Sequence, residues 1–154
     1  MLSEILEKKG FEINNLFCFE GFLTYQEFQK KVIEMNKELQ KNNSEITDNF
    51  VFSMDDYHIE DGVEKIKFGI YFPVAKKFQA YEDHGFRECL KVENAVMLRH
   101  TGNPNAINTR IDEIMMYIQD KGYQRKTPIY IVTVKDVKST LDFENMITEI
   151  YVGI

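Results

Sequence analysis

Only two cysteines and three histidines occur in this chain, and they are scattered. Cys18 and Cys89 stand alone with no CxxC spacing, so neither a disulfide framework nor a zinc ribbon is expected. His58, His84 and His100 do not recur at helical spacing with each other or with a cysteine, which argues against a structural metal site. No apolar run approaches the roughly 20 residues that cross a bilayer. Residues 1–10 are charged where a signal peptide would be apolar, so no membrane partner is expected and a cytoplasmic location is.

Basic residues are in the minority. Against 25 acidic side chains stand 19 basic ones, a net charge of −6, and the basic ones are dispersed in ones and twos such as Lys8-Lys9, Lys30-Lys31 and Lys76-Lys77. Without a basic stripe there is nothing to neutralise a phosphate backbone, so nucleic acid is not expected as a direct partner. A glycine-rich phosphate loop, a G-x-S-x-G elbow and a Ser, His and Asp arrangement are also missing, so no cofactor is expected and an enzyme is disfavoured.

What remains is a chain of 154 residues, 44% hydrophobic, enough for one globular domain with a core. Asn15 to Thr24 is an aromatic-rich run of strand type. Thr24-Tyr25-Gln26-Glu27 is a capping-box pattern, and Phe28, Val32, Met35 and Leu39 follow as one helical stripe. Asn49 to Tyr57 reads as a strand, Asp61-Gly62 as a hairpin turn, and Lys65 to Pro73 as a strand with Ile66, Phe68, Ile70 and Phe72 on one face and Gly69 and Tyr71 on the other.

Val74 to Asn94 has mixed composition and reads as a connection. The pattern then restarts. Ala95 to Thr101 is strand-like, Gly102-Asn103-Pro104-Asn105 is a turn, Ile107, Ile111, Ile114 and Ile118 form a second helical stripe, and Gly122 stands where a C-cap belongs. Pro128 to Val134 and Met146 to Ile154 supply two more strands. The offset from Phe28 to Ile107 is 79 and those from Ile70 to Ile150 and Tyr71 to Tyr151 are 80, so one inserted residue brings the halves into register. The expectation is an α+β fold of duplicated βαββ units (15–74 and 95–154, joined by 75–94) in one antiparallel sheet with both helices on one face.

Alternation places Tyr71, Glu149 and Tyr151 on the sheet face opposite the helices. Tyr130 joins them if its strand is phased that way. Met97 and Arg99 share one face of their strand, and Arg99 either pairs with Glu149 or points to solvent; a pairing argues against a cation site. A carboxylate on an open sheet face is most often merely solvated, whereas one beside tyrosines can anchor a flat or cationic molecule. Glu149 has no counterpart in the first unit, where Gly69 takes its place.

The run Ala95-Val-Met-Leu-Arg-His-Thr-Gly102, the helix ending Asp120-Lys-Gly122, Pro128-Ile-Tyr-Ile131 and Thr148-Glu-Ile-Tyr-Val-Gly-Ile154 resembles the second half of GyrI-like small-molecule-binding domains, the effector-binding domains of bacterial multidrug-responsive regulators. The resemblance covers Ala95 to Ile154 by residues and the first half by architecture. It implies a pseudo-symmetric sheet, a ligand cleft opposite the helices and an acidic residue on the last strand, a position Glu149 matches. Gly102-Asn-Pro104 and Gly153 depart from the family pattern. With few residues ahead of Asn15 for a helix-turn-helix, the expected form is a stand-alone member.

The function expected is binding of an amphipathic organic ligand, cations included, by Glu149, Tyr151, Tyr71, Tyr130, Met97 and Arg99. The alternatives are docking of a protein partner on the open face or on Val74 to Asn94, and hydrolysis with Glu149 as general base, a role that rests on relatives of the family alone.

Overall fold

The helix expected after Thr24 begins there. In the computed structural model, which describes residues 5–136 and 139–154, the Thr24 hydroxyl accepts from the Glu27 amide and the Glu27 carboxylate accepts from the Thr24 amide, a closed capping box. The chain runs β1 (Ile5–Leu23), α1 (Tyr25–Lys41), β2 (Val51–Glu60), β3 (Val63–Pro73), β4 (Gly85–Thr101), α2 (Ile107–Asp120), β5 (Ile129–Lys135) and β6 (Ile147–Gly153). It has the expected α+β composition with antiparallel pairing, and the order β, α, β, β occurs twice.

Two compact units form. One is Glu12–Leu90; the other joins residues 5–11 to Lys91–Ile154. In the first, β3 lies between β1 and β2, paired through Phe17 with Phe72, Phe19 with Ile70 and Phe52 with Ile70. Phe17, Met35, Leu39, Ile70, Phe72 and Val74 form its buried core, so the α1 stripe packs on the β3 face that carries Ile70 and Phe72. In the second unit β6 lies between β4 and β5, and Ile111, Ile114 and Ile118 of α2 are buried; of their counterparts in α1, Met35 and Leu39 are buried and Val32 partly so.

The duplication extends to single hydrogen bonds. Helix α1 ends with Asn43 in the left-handed region at φ 55° and the bonds Asn43 N to Gln40 O and Ser44 N to Leu39 O. Helix α2 ends with Gly122 at φ 72° and the bonds Gly122 N to Gln119 O and Tyr123 N to Ile118 O. Both are Schellman caps. Likewise the Asn15 carbonyl accepts from Val74 N at 2.9 Å and the Asn94 carbonyl from Ile154 N at 3.1 Å.

Two elements are longer than the sequence pattern. β1 begins at Ile5 rather than near Asn15, and β4 begins at Gly85, inside the stretch read as a connection. Lys8, Asn15 and Asn94 have φ of 58°, 58° and 49°, and a left-handed residue interrupts the two-residue period that a strand is read from. Phe78 and Phe86 pack against the core of the first unit, whereas Tyr81 of the same stretch is half exposed.

Candidate functional site

Antiparallel register decides which side chains of the second unit share a face. β4 against β6 sets Met97 opposite Tyr151 and Arg99 opposite Glu149, while β5 against β6 sets Tyr130 opposite Tyr151 and Val132 opposite Glu149. Two adjoining rows result, Met97–Tyr151–Tyr130 and Arg99–Glu149–Val132. Five of the six residues singled out from the sequence are thus neighbours on one face.

Tyr71 belongs to the other unit. It is 2% exposed on β3, opposite Cys18 and Val51. Its hydroxyl lies where a side chain on Gly69 would start: a Cβ there would come within 2.5 Å of the Tyr71 oxygen and 2.4 Å of Ser53 Oγ. The tyrosine two residues on covers the same place in both units, over a glycine in one and a glutamate in the other.

Glu149 is not a solvated surface carboxylate. The residue is 8% exposed, because β6 has strands on both sides and its two faces are covered. Both oxygens are engaged: Oε1 accepts from the Tyr151 hydroxyl at 2.8 Å, and Oε2 accepts from Arg99 Nη2 at 2.6 Å and Nε at 3.1 Å. A buried carboxylate needs such partners to stay ionised. The carboxylate in turn holds the guanidinium of Arg99 above its ordinary range, by hydrogen bond first and charge second. Burial, then the bond to Glu149, raises the Tyr151 hydroxyl, so that it stays protonated and donates.

This pair is the arrangement that argues against a ready-made cation site. The Arg99 side chain, 56% exposed, already occupies the outward side of the carboxylate. Above the pair opens a cavity of about 500 Å³ lined by Leu6, Lys9, Gly10, Met97, Arg99, Thr101, Glu149 and Tyr151. That is the size of a small-molecule pocket. Tyr130 backs it, with Phe11 set edge-on to both tyrosines at 4.9 Å from Tyr151 and 5.5 Å from Tyr130.

Leu6, Lys9, Gly10 and Thr101 escaped the sequence reading. The first three lie on the part of β1 that the sequence did not reveal as strand, and only the alternation of Phe11 with Ile13 signals it. Gly10 has a specific reason to be glycine: a Cβ there would stand 2.3 Å from the Val92 carbonyl oxygen, so only a bare backbone permits this approach of β1 to β4. No group of three His, Cys, Asp or Glu side chains able to hold a metal occurs among the described residues. No helix among them is long and apolar enough to cross a membrane.

No protein-family model matches the chain, and no curated protein does. Solved structures are similar to it. The EcmrR C-terminal domain aligns at TM-score 0.73 and 15% identity over 99% of this chain and 98% of that one. The EcmrR chain of a cryo-EM EcmrR–DNA complex aligns at TM-score 0.76 and 16% identity over 99% of this chain, which spans 57% of that longer chain. SAV2435 bound to tetraphenylphosphonium aligns at TM-score 0.50 and 12% identity over 99% of this chain and 93% of that one. At such identities the likeness is one of fold.

Proposed function

We propose that this chain, whose fold is that of the GyrI-like effector-binding domains, binds an amphipathic organic molecule in the cleft above Glu149. The observation that carries the reading is a buried carboxylate, hydrogen-bonded at both oxygens, at the floor of an open cavity walled in part by Leu6, Met97 and Tyr151. Leu6, Met97 and Tyr151 offer contact to an apolar body, and Lys9, Arg99, Thr101 and Glu149 supply the polar groups that orient the ligand. The bound tetraphenylphosphonium of SAV2435 supports the view that this fold accommodates bulky organic molecules. A cation here would have to draw Arg99 off Glu149 first.

Catalysis is the weaker reading. A general base must have a carboxylate oxygen directed at water, and both oxygens of Glu149 already accept from protein donors. A protein partner is supported only by exposed side chains such as Tyr57 and Ile59 on the β2–β3 hairpin.

The test is a titration with four probes, tetraphenylphosphonium, a planar cationic dye, 1-pyrenebutyrate and 1-pyrenebutanol. Binding is followed by calorimetry, and in the native protein also by tyrosine emission, which no tryptophan obscures there. At least one probe is expected to bind saturably with a 1:1 ratio. Thr101→Trp, at an exposed residue on the cleft wall, should abolish that binding with circular dichroism unchanged. Saturable binding by none of the four, or undiminished binding by Thr101→Trp, sinks the reading.

A further inference from the structure

Charge at the cleft is unevenly matched. Two cations, Lys9 and Arg99, line it with one carboxylate, Glu149. That carboxylate is largely satisfied, accepting three hydrogen bonds from the protein across its two oxygens. The guanidinium is not: Nε and Nη2 serve Glu149, while Nη1 makes no hydrogen bond among the described residues. An arginine fork offers five N–H donors in a plane, so one edge can hold Glu149 while the other takes an incoming carboxylate.

We propose that the ligand of this cleft is an amphipathic organic acid, its carboxylate read by the free edge of Arg99 with Lys9 beside it and its apolar body laid against Leu6, Met97 and Tyr151. This rests on the function proposed above and adds the sign of the ligand's charge. Glu149 then acts as a positioning residue. It fixes the guanidinium plane from behind, which lowers the entropy lost when the acid binds. An approaching cation, in contrast, meets two like charges and a carboxylate already paired with Arg99.

Arg99 extends from β4 to the cleft opening with its side chain half in water, which screens a charge-assisted hydrogen bond and sets it at the weak end of its range. Such bonds are worth about 1.5–3 kcal/mol, roughly a tenfold to hundredfold preference over a neutral analogue. Lys9 is exposed on the same rim and adds attraction that salt can screen.

The experiment compares 1-pyrenebutyrate with 1-pyrenebutanol, which share the aromatic body and differ in the carboxylate, and sets both against tetraphenylphosphonium. The acid should bind at least about tenfold tighter than the alcohol. Arg99→Gln should remove that preference while leaving alcohol binding in place. Because this substitution strips Glu149 of its counter-ion, the double variant Arg99→Gln with Glu149→Gln repeats the measurement in a neutral site; the preference should be absent there too. Lys9→Gln should lower acid affinity several-fold and reduce its dependence on salt.

Equal affinity for acid and alcohol, or acid binding untouched in both Arg99 variants, overturns the proposal. So does tetraphenylphosphonium that binds the native protein more tightly than 1-pyrenebutyrate does, since the cleft would then prefer a cation with Arg99 in place. In each of these cases the cleft still binds a ligand and the broader function stands; silence from all probes, or binding undiminished by Thr101→Trp, removes both.

Discussion

At the scale of single residues, the same repeat position does the same work with different chemistry. Glu38 of α1 accepts from the Tyr81 amide at 3.0 Å and lies 2.6 Å from His84 Nδ1, holding the segment that leads into β4. Tyr117, its counterpart in α2, donates to Glu7 of β1, which Tyr123 also reaches at 2.7 Å. The bond to Glu7, helped by burial, raises the Tyr117 hydroxyl from its ordinary value of 10 to about 12. A group with a raised pKa contributes stability below its unfolded value and loses it as pH climbs through the folded one. Thermal stability should therefore fall between pH 10 and 12, and Tyr117→Phe should flatten that limb at constant ionic strength. Parallel curves for the two proteins would show that the bond contributes nothing.

Secondary-structure elements differ in how openly the sequence displays them. Both helices were legible because a stripe of four apolar residues and a cap at one end are local signals, and the caps at Thr24 and Gly122 match them. The β2–β3 turn was legible too, as Asp61 and Gly62 adopt φ of 51° and 78°. The outer parts of β1 and β4 were not. Their alternation is broken by Lys8 and Asn94 in left-handed conformation, and the charged run Glu7-Lys8-Lys9 reads as surface. Glu149, Arg99, Met97, Tyr130 and Tyr151 could be grouped by alternation alone, but whether Glu149 was solvated or buried depended on β6 being central, which alternation cannot say.

The hidden part of β1 yields a prediction at the same scale. Gly10→Ala sets a Cβ against the backbone oxygen of Val92, an atom that cannot rotate away. The substitution should cost about 2 kcal/mol, read as a lowered urea midpoint with unchanged slope. Wild-type stability would show that β1 can shift outward, and with it the cleft wall formed by Leu6 and Lys9.

Taken as a whole molecule, the chain is a repeat in which one copy carries a feature the frame does not need. At matching register the first unit has Glu20, Gly69 and Ser53, and the second has Arg99, Glu149 and Val132. The hydrogen-bonded frame around these triplets is the same, so the ion pair is an addition to it. The frame also divides the chain unexpectedly, because residues 5–11 belong with Lys91–Ile154. Deleting residues 5–10 should strip amide-exchange protection from Lys91–Ile154 and leave Glu12–Leu90 closer to its original pattern. Uniform loss across both units would mean that the two open together.

Residues 5–11 are made first and complete the unit that is made last. Glu7 finds Tyr117 and Tyr123 only 110 and 116 residues later in the chain. A ribosome adding about 5–20 residues each second needs on the order of ten seconds to supply them. For that interval the strand that walls the cleft is a nascent edge without its partners, and the charges of Glu7, Lys8 and Lys9 are the kind that keep such an edge from joining a neighbouring chain. The residues that looked like plain surface in the sequence are what the polypeptide carries while it waits.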